Sequence, residues 1–356
     1  MTHRTVLRSA FAFAVMLLLS ATAHAQLFRA YLAPSGNDMN ACTLPAPCRL
    51  LPAALATVAD GGEIWMLDSA NYNTGPVNIT KSVTILAVPG ALGSVLATGG
   101  NAINIATAGV KVALRNLVIV PFPGMGGTGG ISMTAGAGLT VENCLIANLP
   151  QYGIYVDTAA SVQITDTTIR DNGSASFPSF SSFGGLSLKN GARATVKRAT
   201  ISGNVGGGVS VSGTGFNTTT SADIADSTVA GNGANAGGYG VAASSDSASS
   251  VVIVSIHNSR IVQNKYDGVS ASSSDGGTVT LSVSNNMISN NGTGITAASG
   301  AIFASICKVW ASGNTVSDNS TGFLTFFDAS IESAGNNAVR NNGTDTAGTI
   351  TVIPTK

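Results

Sequence analysis

Residues 193–212 read RATVKRATISGNVGGGVSVS, and residues 222–244 read ADIADSTVAGNGANAGGYGVAAS. Each stretch contains three short runs in which apolar and polar residues alternate, a pattern typical of β-strands. Gly, Asn, Asp and Ser separate the runs, and no run is long enough for an amphipathic helix. Each stretch also carries a β-branched residue, two variable residues and then Asn, as in Ile201/Asn204 and Val229/Asn232. These two stretches therefore predict a repeating unit of three short strands.

The phrase that ends in Asn recurs along the chain at intervals of 23 to 32 residues. A second phrase, Gly followed by an alternating apolar run, occurs in every repeat. Three strands repeated along one axis predict a parallel β-helix, with apolar side chains inside and like residues stacked over like. We expect the Asn side chains to form a buried hydrogen-bonded ladder. The seven copies are Ile169/Asn172, Ile201/Asn204, Val229/Asn232, Ile261/Asn264, Ile288/Asn291, Val316/Asn319 and Val339/Asn342.

Composition excludes several classes of function. Of the 356 residues 44% are apolar and only 10% are charged, so the chain can bury a core and is not a charge-rich disordered polymer. Its formal net charge is zero, and no excess of cations indicates a nucleic-acid partner. Only three histidines occur, which leaves little material for a zinc site.

Residues 1–25 are predicted to be a signal peptide. Arg4 and Arg8 precede an apolar run of nine residues, and Ala23-His24-Ala25 matches a cleavage site. Without this leader the net charge is −2 and His257 is the only histidine. No later stretch is long and apolar enough to span a membrane, so we expect a secreted or periplasmic protein.

The cysteines agree with an oxidising compartment. Cys42 and Cys48 lie six residues apart in CTLPAPC, which favours a small-loop disulfide over metal binding by two thiols. Cys144 and Cys307 are about six coils apart, too far to pair, and we expect both to be buried free thiols.

The start of the chain predicts a cap followed by the solenoid. Residues 48–59 have apolar residues at helical spacing, and Asp60-Gly61-Gly62 ends that segment. We therefore divide the chain into a signal peptide (1–25), an N-terminal segment with a helical cap (26–61) and a parallel β-helix (62–356).

Residues 31–73, YLAPSGNDMNACTLPAPCRLLPAALATVADGGEIWMLDSANYN, and the later KSVTILA resemble the N-terminal entry of secreted bacterial β-helix proteins of the pectate-lyase-like superfamily, the pectin lyase fold. The repeated coils resemble the β-helix repeat of that superfamily, and the resemblance extends over residues 30–353. It implies an all-β, right-handed parallel β-helix. It does not select a function, because the superfamily includes polysaccharide lyases, glycoside hydrolases, esterases, phage tailspikes and proteins without known activity.

The enzymes of this superfamily imply two tests for catalysis. Lyase sites of the pectate type hold Ca²⁺ with clustered carboxylates, and hydrolase sites place several Asp residues before the Gly-apolar strand. In this chain only Asp267 occupies that position, and the sequence contains no Asp-Asp pair. We therefore expect no metal and no cofactor.

Charged residues on the outward faces have a plain interpretation and a catalytic one. Asp157 and Lys189 are in register one coil apart, and the plain interpretation is a surface ion pair. In the catalytic interpretation Tyr155 is the acid and Lys189 the base of a lyase groove, and these two residues and Asp157 are its weak candidate residues. Asp166, Arg198 and Asp226 form a second column, which we interpret as a stabilising ladder of alternating charge rather than an esterase site. His257 precedes Asn258 in a predicted strand, and we interpret it as a packed or surface residue rather than a base.

Aromatic residues carry the binding hypothesis. They recur where the Gly-apolar strand begins, and aromatic faces stack on the apolar faces of sugars while neighbouring hydroxyls bond to sugar hydroxyls. The sequence thus favours a carbohydrate-interacting or cell-surface-associated protein without catalysis. A polysaccharide lyase-like enzyme acting on acidic polysaccharide and a structural adhesin or envelope spacer are the alternatives. The candidate ligand-binding residues are Tyr152, Tyr155, Phe183, Tyr239, Tyr266 and Asp267.

Overall fold

A computed structural model describes residues 26–174, 184–234, 238–300 and 305–353 of the chain. The predicted signal peptide lies outside the described residues. The described chain winds into an all-β parallel β-helix of about ten turns, as the repeats predict. Each full turn contributes one strand to each of three parallel sheets, so residues one repeat apart in sequence become neighbours in space.

The first sheet, which we call the long sheet, has thirteen strands. Its strands, in the numbering β1 to β35 along the chain, are β1 (Leu27–Leu32), β2 (Val58–Met66), β5 (Val83–Ala87), β8 (Lys111–Arg115), β11 (Gly138–Glu142), β14 (Ser161–Thr165), β17 (Arg193–Lys197), β20 (Thr219–Ala225), β23 (Val251–His257), β26 (Thr278–Ser284), β29 (Ile306–Ser312), β32 (Ser330–Ser333) and β35 (Ile350–Val352).

The second sheet contains the strands of the Gly-apolar phrase, and we call it the glycine sheet. Its eleven strands are β4 (Val77–Ile79), β7 (Ile103–Ala106), β10 (Ile131–Ala135), β13 (Ile154–Asp157), β16 (Leu186–Lys189), β19 (Val209–Gly213), β22 (Val241–Ser245), β25 (Asp267–Ser273), β28 (Thr293–Ser299), β31 (Thr321–Phe326) and β34 (Thr344–Ala347).

The third sheet is built from the β-branched residue of each repeat and its neighbours, and we call it the short-strand sheet. Its eleven strands are β3 (Ala70–Asn71), β6 (Gly93–Ala97), β9 (Leu117–Pro121), β12 (Leu145–Ala147), β15 (Thr168–Arg170), β18 (Thr200–Ser202), β21 (Thr228–Ala230), β24 (Arg260–Val262), β27 (Met287–Ser289), β30 (Thr315–Ser317) and β33 (Ala338–Arg340).

The core fills the tube that the three sheets enclose. Side chains alternate along each strand, so in β23 Val252, Val254 and Ile256 are buried while Ile253 is exposed. Burying one such aliphatic side chain stabilises the fold by about 1.5–3 kcal/mol. The outward residues make no contribution to this core and are free to carry other chemistry.

The predicted ladder of asparagines forms inside the tube where the short-strand sheet turns into the glycine sheet. Asn232 is representative: its Nδ2 donates to Asn264 Oδ1 (3.0 Å) and to the Ile201 carbonyl (3.0 Å). Its Oδ1 accepts from both the backbone N–H (3.0 Å) and Nδ2 (2.9 Å) of Asn204. The ladder runs without interruption from Asn172 to Asn342, where Asp345 accepts the last amide. The prediction that these Asn side chains form a single file inside the tube is therefore confirmed.

Steric crowding explains why a glycine follows each ladder residue at the start of the next strand of the glycine sheet. A Cβ added to Gly240 would lie 2.5 Å from the Gly268 carbonyl oxygen and 2.8 Å from Asn264 Nδ2. Successive coils approach each other too closely at this corner for any side chain. The Gly phrase and the Asn phrase in the sequence are thus two sides of one contact.

A second, shorter ladder, which the sequence pattern did not predict, lies at the corner between the long sheet and the short-strand sheet. Asn286 Nδ2 donates to Asn314 Oδ1 (3.1 Å), and Asn314 Nδ2 donates to Asn337 Oδ1 (2.9 Å). Towards the N-terminus the Ser259 and Ser227 hydroxyls take the same place and accept backbone N–H groups. These buried residues satisfy backbone groups that the turn leaves unpaired.

The N-terminal region differs from its prediction in two respects. The helix α1 (Leu51–Thr57) is shorter than the expected segment, and it buries Leu51, Ala54 and Leu55. The strand β1 was not expected, and it pairs with β2 as the edge of the long sheet. Cys42 and Cys48 form the predicted disulfide, and Cys144 and Cys307 are buried free thiols.

The predicted column of alternating charge contains an ion pair on the surface. Arg198 makes a two-pronged ion pair with Asp166, with nitrogen–oxygen distances of 2.7 and 2.8 Å, as part of the predicted charge column. The pKa of Asp166 is lowered by this hydrogen bond. In the described residues no helix has the length and apolar character needed to cross a membrane.

Candidate functional site

A groove with a volume of about 570 Å³ runs along the outer face of the glycine sheet, from β16 to β31. Its floor is made by the outward residues of these strands, whose inward neighbours are buried Val, Leu, Ile and Ala. We call it the hydroxyl groove. It is lined by Gly184, Leu186, Ser187, Gly206, Gly207, Val209, Ser210, Tyr239, Ala242, Ser244, Asp267, Ser270, Ser272, Thr296, Ala298 and Phe326.

Hydroxyl groups form two parallel files on this floor. Strand register aligns Ser187 with Ser210 in one file and Ser244 with Ser272 in the other. Neighbouring strands lie about 4.8 Å apart, so the six rungs from β16 to β31 span about 24 Å. The repeat along the groove is close to the length of one sugar ring in an extended chain.

Some of these hydroxyls are hydrogen-bonded to each other, and one of them has no partner. Ser212 Oγ, beside the groove, lies 3.3 Å from Ser210 Oγ and 3.2 Å from Ser244 Oγ, which forms a short hydroxyl chain. The buried Ser187 Oγ has no hydrogen-bond partner among the described residues. A buried polar atom without a partner is costly, and a ligand hydroxyl at this point would remove that cost.

Asp267 is the carboxylate of the groove. It precedes Gly268 at the start of its strand, and burial raises its pKa, while the hydroxyls of Thr296, Ser270 and Thr293 partly offset that effect. Burial also raises the pKa of Tyr239, to which the Asp267 charge and Tyr266 add. The structure therefore brings Tyr239, Tyr266 and Asp267 together on two adjacent coils.

Phe326 lies at the C-terminal end of the groove and is 47% exposed. Its neighbour Phe327 follows β31 with a φ of 55°, is 73% exposed and does not line the groove. Tyr239 and Phe326 thus provide two aromatic surfaces on one hydroxyl-rich floor.

A second group lies on the same face at β13 and β16, and we call it the Tyr155 cluster. Tyr155 Oη donates to Asp157 Oδ2 (2.7 Å), while Asn190 Nδ2 donates to Asp157 Oδ1. Lys189 pairs with Asp157 in strand register, and its Nζ lies 5.7 Å from the centre of the Tyr155 ring. Burial, followed by the hydrogen bond to Asp157, raises the pKa of Tyr155, so its hydroxyl stays protonated at neutral pH.

Tyr152 connects the Tyr155 cluster to a residue that the sequence analysis missed. The two tyrosine rings are 5.3 Å apart, and Tyr152 Oη donates to Asn101 Oδ1 (2.8 Å). Asn101 occupies the same pre-strand column as Tyr152, two coils earlier, where Ala102 replaces the usual glycine. Extending the column past that substitution would have found it.

Five of the six candidate ligand-binding residues thus form two groups on the glycine sheet. Tyr152 and Tyr155 lie at β13, and Tyr239, Tyr266 and Asp267 lie at β22 and β25. The two groups are about three rungs, or about 14 Å, apart along the sheet. Phe183 lies outside the described residues.

Other charged groups lie away from the groove. His257 is on the outer face of the long sheet, where its Nε2 lies 3.3 Å from Asp223 Oδ1. Among the groove-lining residues that the structure describes, none is Lys, Arg or His. The described ranges also contain no group of three His, Cys, Asp or Glu side chains that could hold a metal ion.

Comparisons with known proteins agree on the fold. Residues 93–225 match the family model described as "Right handed beta helix region". The crystal structure of pectate lyase Pel9A aligns with 85% of this chain and 78% of its own, at 15% identity and a TM-score of 0.56. The search of curated proteins found no match.

Two further solved structures are more distant. The A-module of the Azotobacter vinelandii mannuronan C-5 epimerase AlgE4 covers 83% of this chain and 91% of its own, at 11% identity and a TM-score of 0.49. The Dettilon tailspike protein covers 90% of this chain and 68% of its own, at 15% identity and a TM-score of 0.46. The chain is a right-handed parallel β-helix, and it shares this fold with pectate lyase Pel9A.

Proposed function

We propose that this protein binds an extended glycan in the hydroxyl groove and does so without catalysis. The observation that carries the proposal is the groove itself: hydroxyl files with a repeat of about 4.8 Å, flanked by aromatic rings. Hydroxyls donate and accept, as sugar hydroxyls do, and aromatic faces cover the apolar face of a sugar ring. The shared fold of a pectate lyase is compatible with this role but does not carry it.

The residue inventory supports binding over hydrolysis. Glycoside hydrolysis ordinarily needs two carboxyl groups that flank the scissile bond, about 5–10 Å apart. Asp267 is the single carboxylate among the described residues that line the groove. One carboxyl group can orient a sugar by accepting two of its hydroxyls, which is a binding role.

Isothermal titration with oligosaccharides of six units tests the proposal. Tyr239→Ala and Phe326→Ala should each weaken binding about tenfold, a loss of about 1.4 kcal/mol, because each removes one stacking surface. Phe327→Ala is the matched control, since it removes an exposed ring beside the groove that does not line it. Failure to bind any oligosaccharide, or an equal effect of all three variants, contradicts the proposal.

One specific observation favours a second function, a polysaccharide lyase-like reaction in the Tyr155 cluster. The Tyr155 hydroxyl is protonated and held by Asp157, and the strand register brings Lys189 alongside. In this hypothesis Tyr155 is the acid and Lys189 the base that removes a proton beside a uronate carboxyl group. Ultraviolet absorbance of an unsaturated sugar product, lost in Lys189→Ala, would support it, and no product from any acidic polysaccharide would rule it out.

The proposed location follows from other parts of the chain. We place the protein outside the cytoplasm because a leader-like segment precedes the described chain and because the Cys42–Cys48 disulfide is stable in an oxidising compartment. Detection of the mature chain beginning at Gln26 in the periplasmic or extracellular fraction would test this. A full-length chain in the cytoplasm would contradict it.

A further inference from the structure

We propose that the hydroxyl groove selects uncharged glycans and that Asp267 is the residue that excludes uronates. This inference rests on the proposed function and names the substrate class of the same site. It depends on the distribution of charge in the groove rather than on the fold.

The only charge among the described side chains that line the groove is negative. The described lining contains one carboxylate and no cationic side chain, and most of the remainder is hydroxyl, glycine or aliphatic. A polymer with one carboxylate per sugar would place negative charges along a wall that offers no cation to match them. Juxtaposed like charges disfavour a wrong partner, so this wall discriminates against polyuronates.

Asp267 lies within the length of the groove rather than at either end. It lies on β25, with the groove strands β28 and β31 on its C-terminal side and the groove strands β16, β19 and β22 before it. A glycan that follows the floor from Ser187 to Phe326 must therefore pass beside it. The carboxylate is half-buried, so water screens it less than a surface charge.

Two lysines on or beside the groove strands have contacts outside the groove. Lys265 Nζ donates to the Ala234 carbonyl (2.8 Å) and lies 5.7 Å from the centre of the Tyr266 ring. Lys189 belongs to the Tyr155 cluster, with its Nζ 5.7 Å from the Tyr155 ring centre. Neither residue lines the groove.

The experiment compares uncharged and uronate hexasaccharides by isothermal titration at pH 7 and low salt. Cellohexaose, xylohexaose and mannohexaose are the uncharged probes, and hexagalacturonate and hexamannuronate are the charged ones. We expect the best uncharged probe to bind the wild type at least about tenfold more tightly than either uronate. This preference should shrink as salt is added, because its origin is electrostatic.

Asp267→Asn keeps the shape of the side chain and removes its charge. This variant should reduce the preference for uncharged probes by about tenfold, mainly through tighter uronate binding. Asp226→Asn is the matched control: it removes the same charge from an exposed turn between the other two sheets, at a φ of 50° that Asn also adopts. It should leave the preference unchanged.

The outcomes separate this inference from the proposed function. Tighter binding of uronates by the wild type, or an unchanged preference in Asp267→Asn, overturns the inference while the proposed function stands. Binding of neither class overturns both. Thermal melting of each variant checks that it folds, and Asp267→Ser, which also removes the charge, must reproduce the loss of preference.

Discussion

The Asn ladder predicts a large and local loss of stability when one interior residue is removed. Asn232 is 1% exposed, and Asn232→Ala breaks the four side-chain hydrogen bonds that join it to its neighbours. Two buried donors then lack a partner: the Asn204 backbone N–H and one Nδ2–H of Asn204. The Ile201 carbonyl loses one of its donors but stays within the parallel ladder between β18 and β21. The Asn264 Oδ1 atom keeps the Asn232 backbone N–H at 3.1 Å.

Each orphaned buried donor costs about 1–3 kcal/mol, so we expect the free energy of unfolding to fall by about 2–6 kcal/mol. The control is Asn342→Ala, at the half-buried last rung, where water can replace the lost bonds and the cost should be about 1 kcal/mol. Urea unfolding measures both variants, and hydrogen exchange at the Asn204 amide tests whether the damage is local. A cost for Asn232→Ala no greater than for Asn342→Ala would refute this account of the ladder.

Three further predictions follow from single contacts. Gly240→Ala should destabilise the fold by about 1–3 kcal/mol through overpacking, whereas Gly75→Ala, with open space around its Cβ, should be nearly neutral in the same melt. Burial raises the pKa of Cys144 to about 11, so at pH 8 this thiol should resist alkylation until urea unfolds the chain. Arg198→Ala should raise the pKa of Asp166 towards 3.8, measured by NMR titration; the wild-type pair stabilises the fold above that pH and loses its effect as pH falls through the lowered pKa.

The sequence predicted the fold because its signals are local and repeat. One Asn in each coil bonds to the same residue in the next coil, and one Gly in each coil leaves the space for it. Seven copies of a phrase that contains both therefore determine the register of the whole tube. The strand β1 escaped prediction because LFRAYL occurs once, outside the repeat, and no periodic signal marks it.

The second ladder escaped prediction for a different reason. Its members change from Ser227 and Ser259 to Asn286 and Asn314 along the chain, so no single letter recurs. What recurs is the role: each side chain presents an oxygen to a backbone N–H of the preceding coil. Serine and asparagine both meet that need, and a pattern of letters does not reveal their equivalence.

The candidate site was predicted only in outline. The alternation of apolar and polar residues indicates that Ser187 and Thr296 face outwards, and the strand register aligns such residues in files. It could not show that Tyr239 and Asp267 approach each other while Tyr155 joins a separate cluster, because corners of variable length set those positions. The depth and shape of the candidate site are therefore set at the corners, where the length of the repeat varies most.

The separation of inside from outside explains why stability and function respond to different residues. Along β25, Val269 and Ala271 face the core, while Ser270 and Ser272 face the groove. Exchanging an outward hydroxyl alters no ladder bond and leaves the core volume unchanged. The outer surface of such a tube can therefore change its ligand while the fold stays fixed, and evidence for function must come from the outward files, above all from the charge at Asp267.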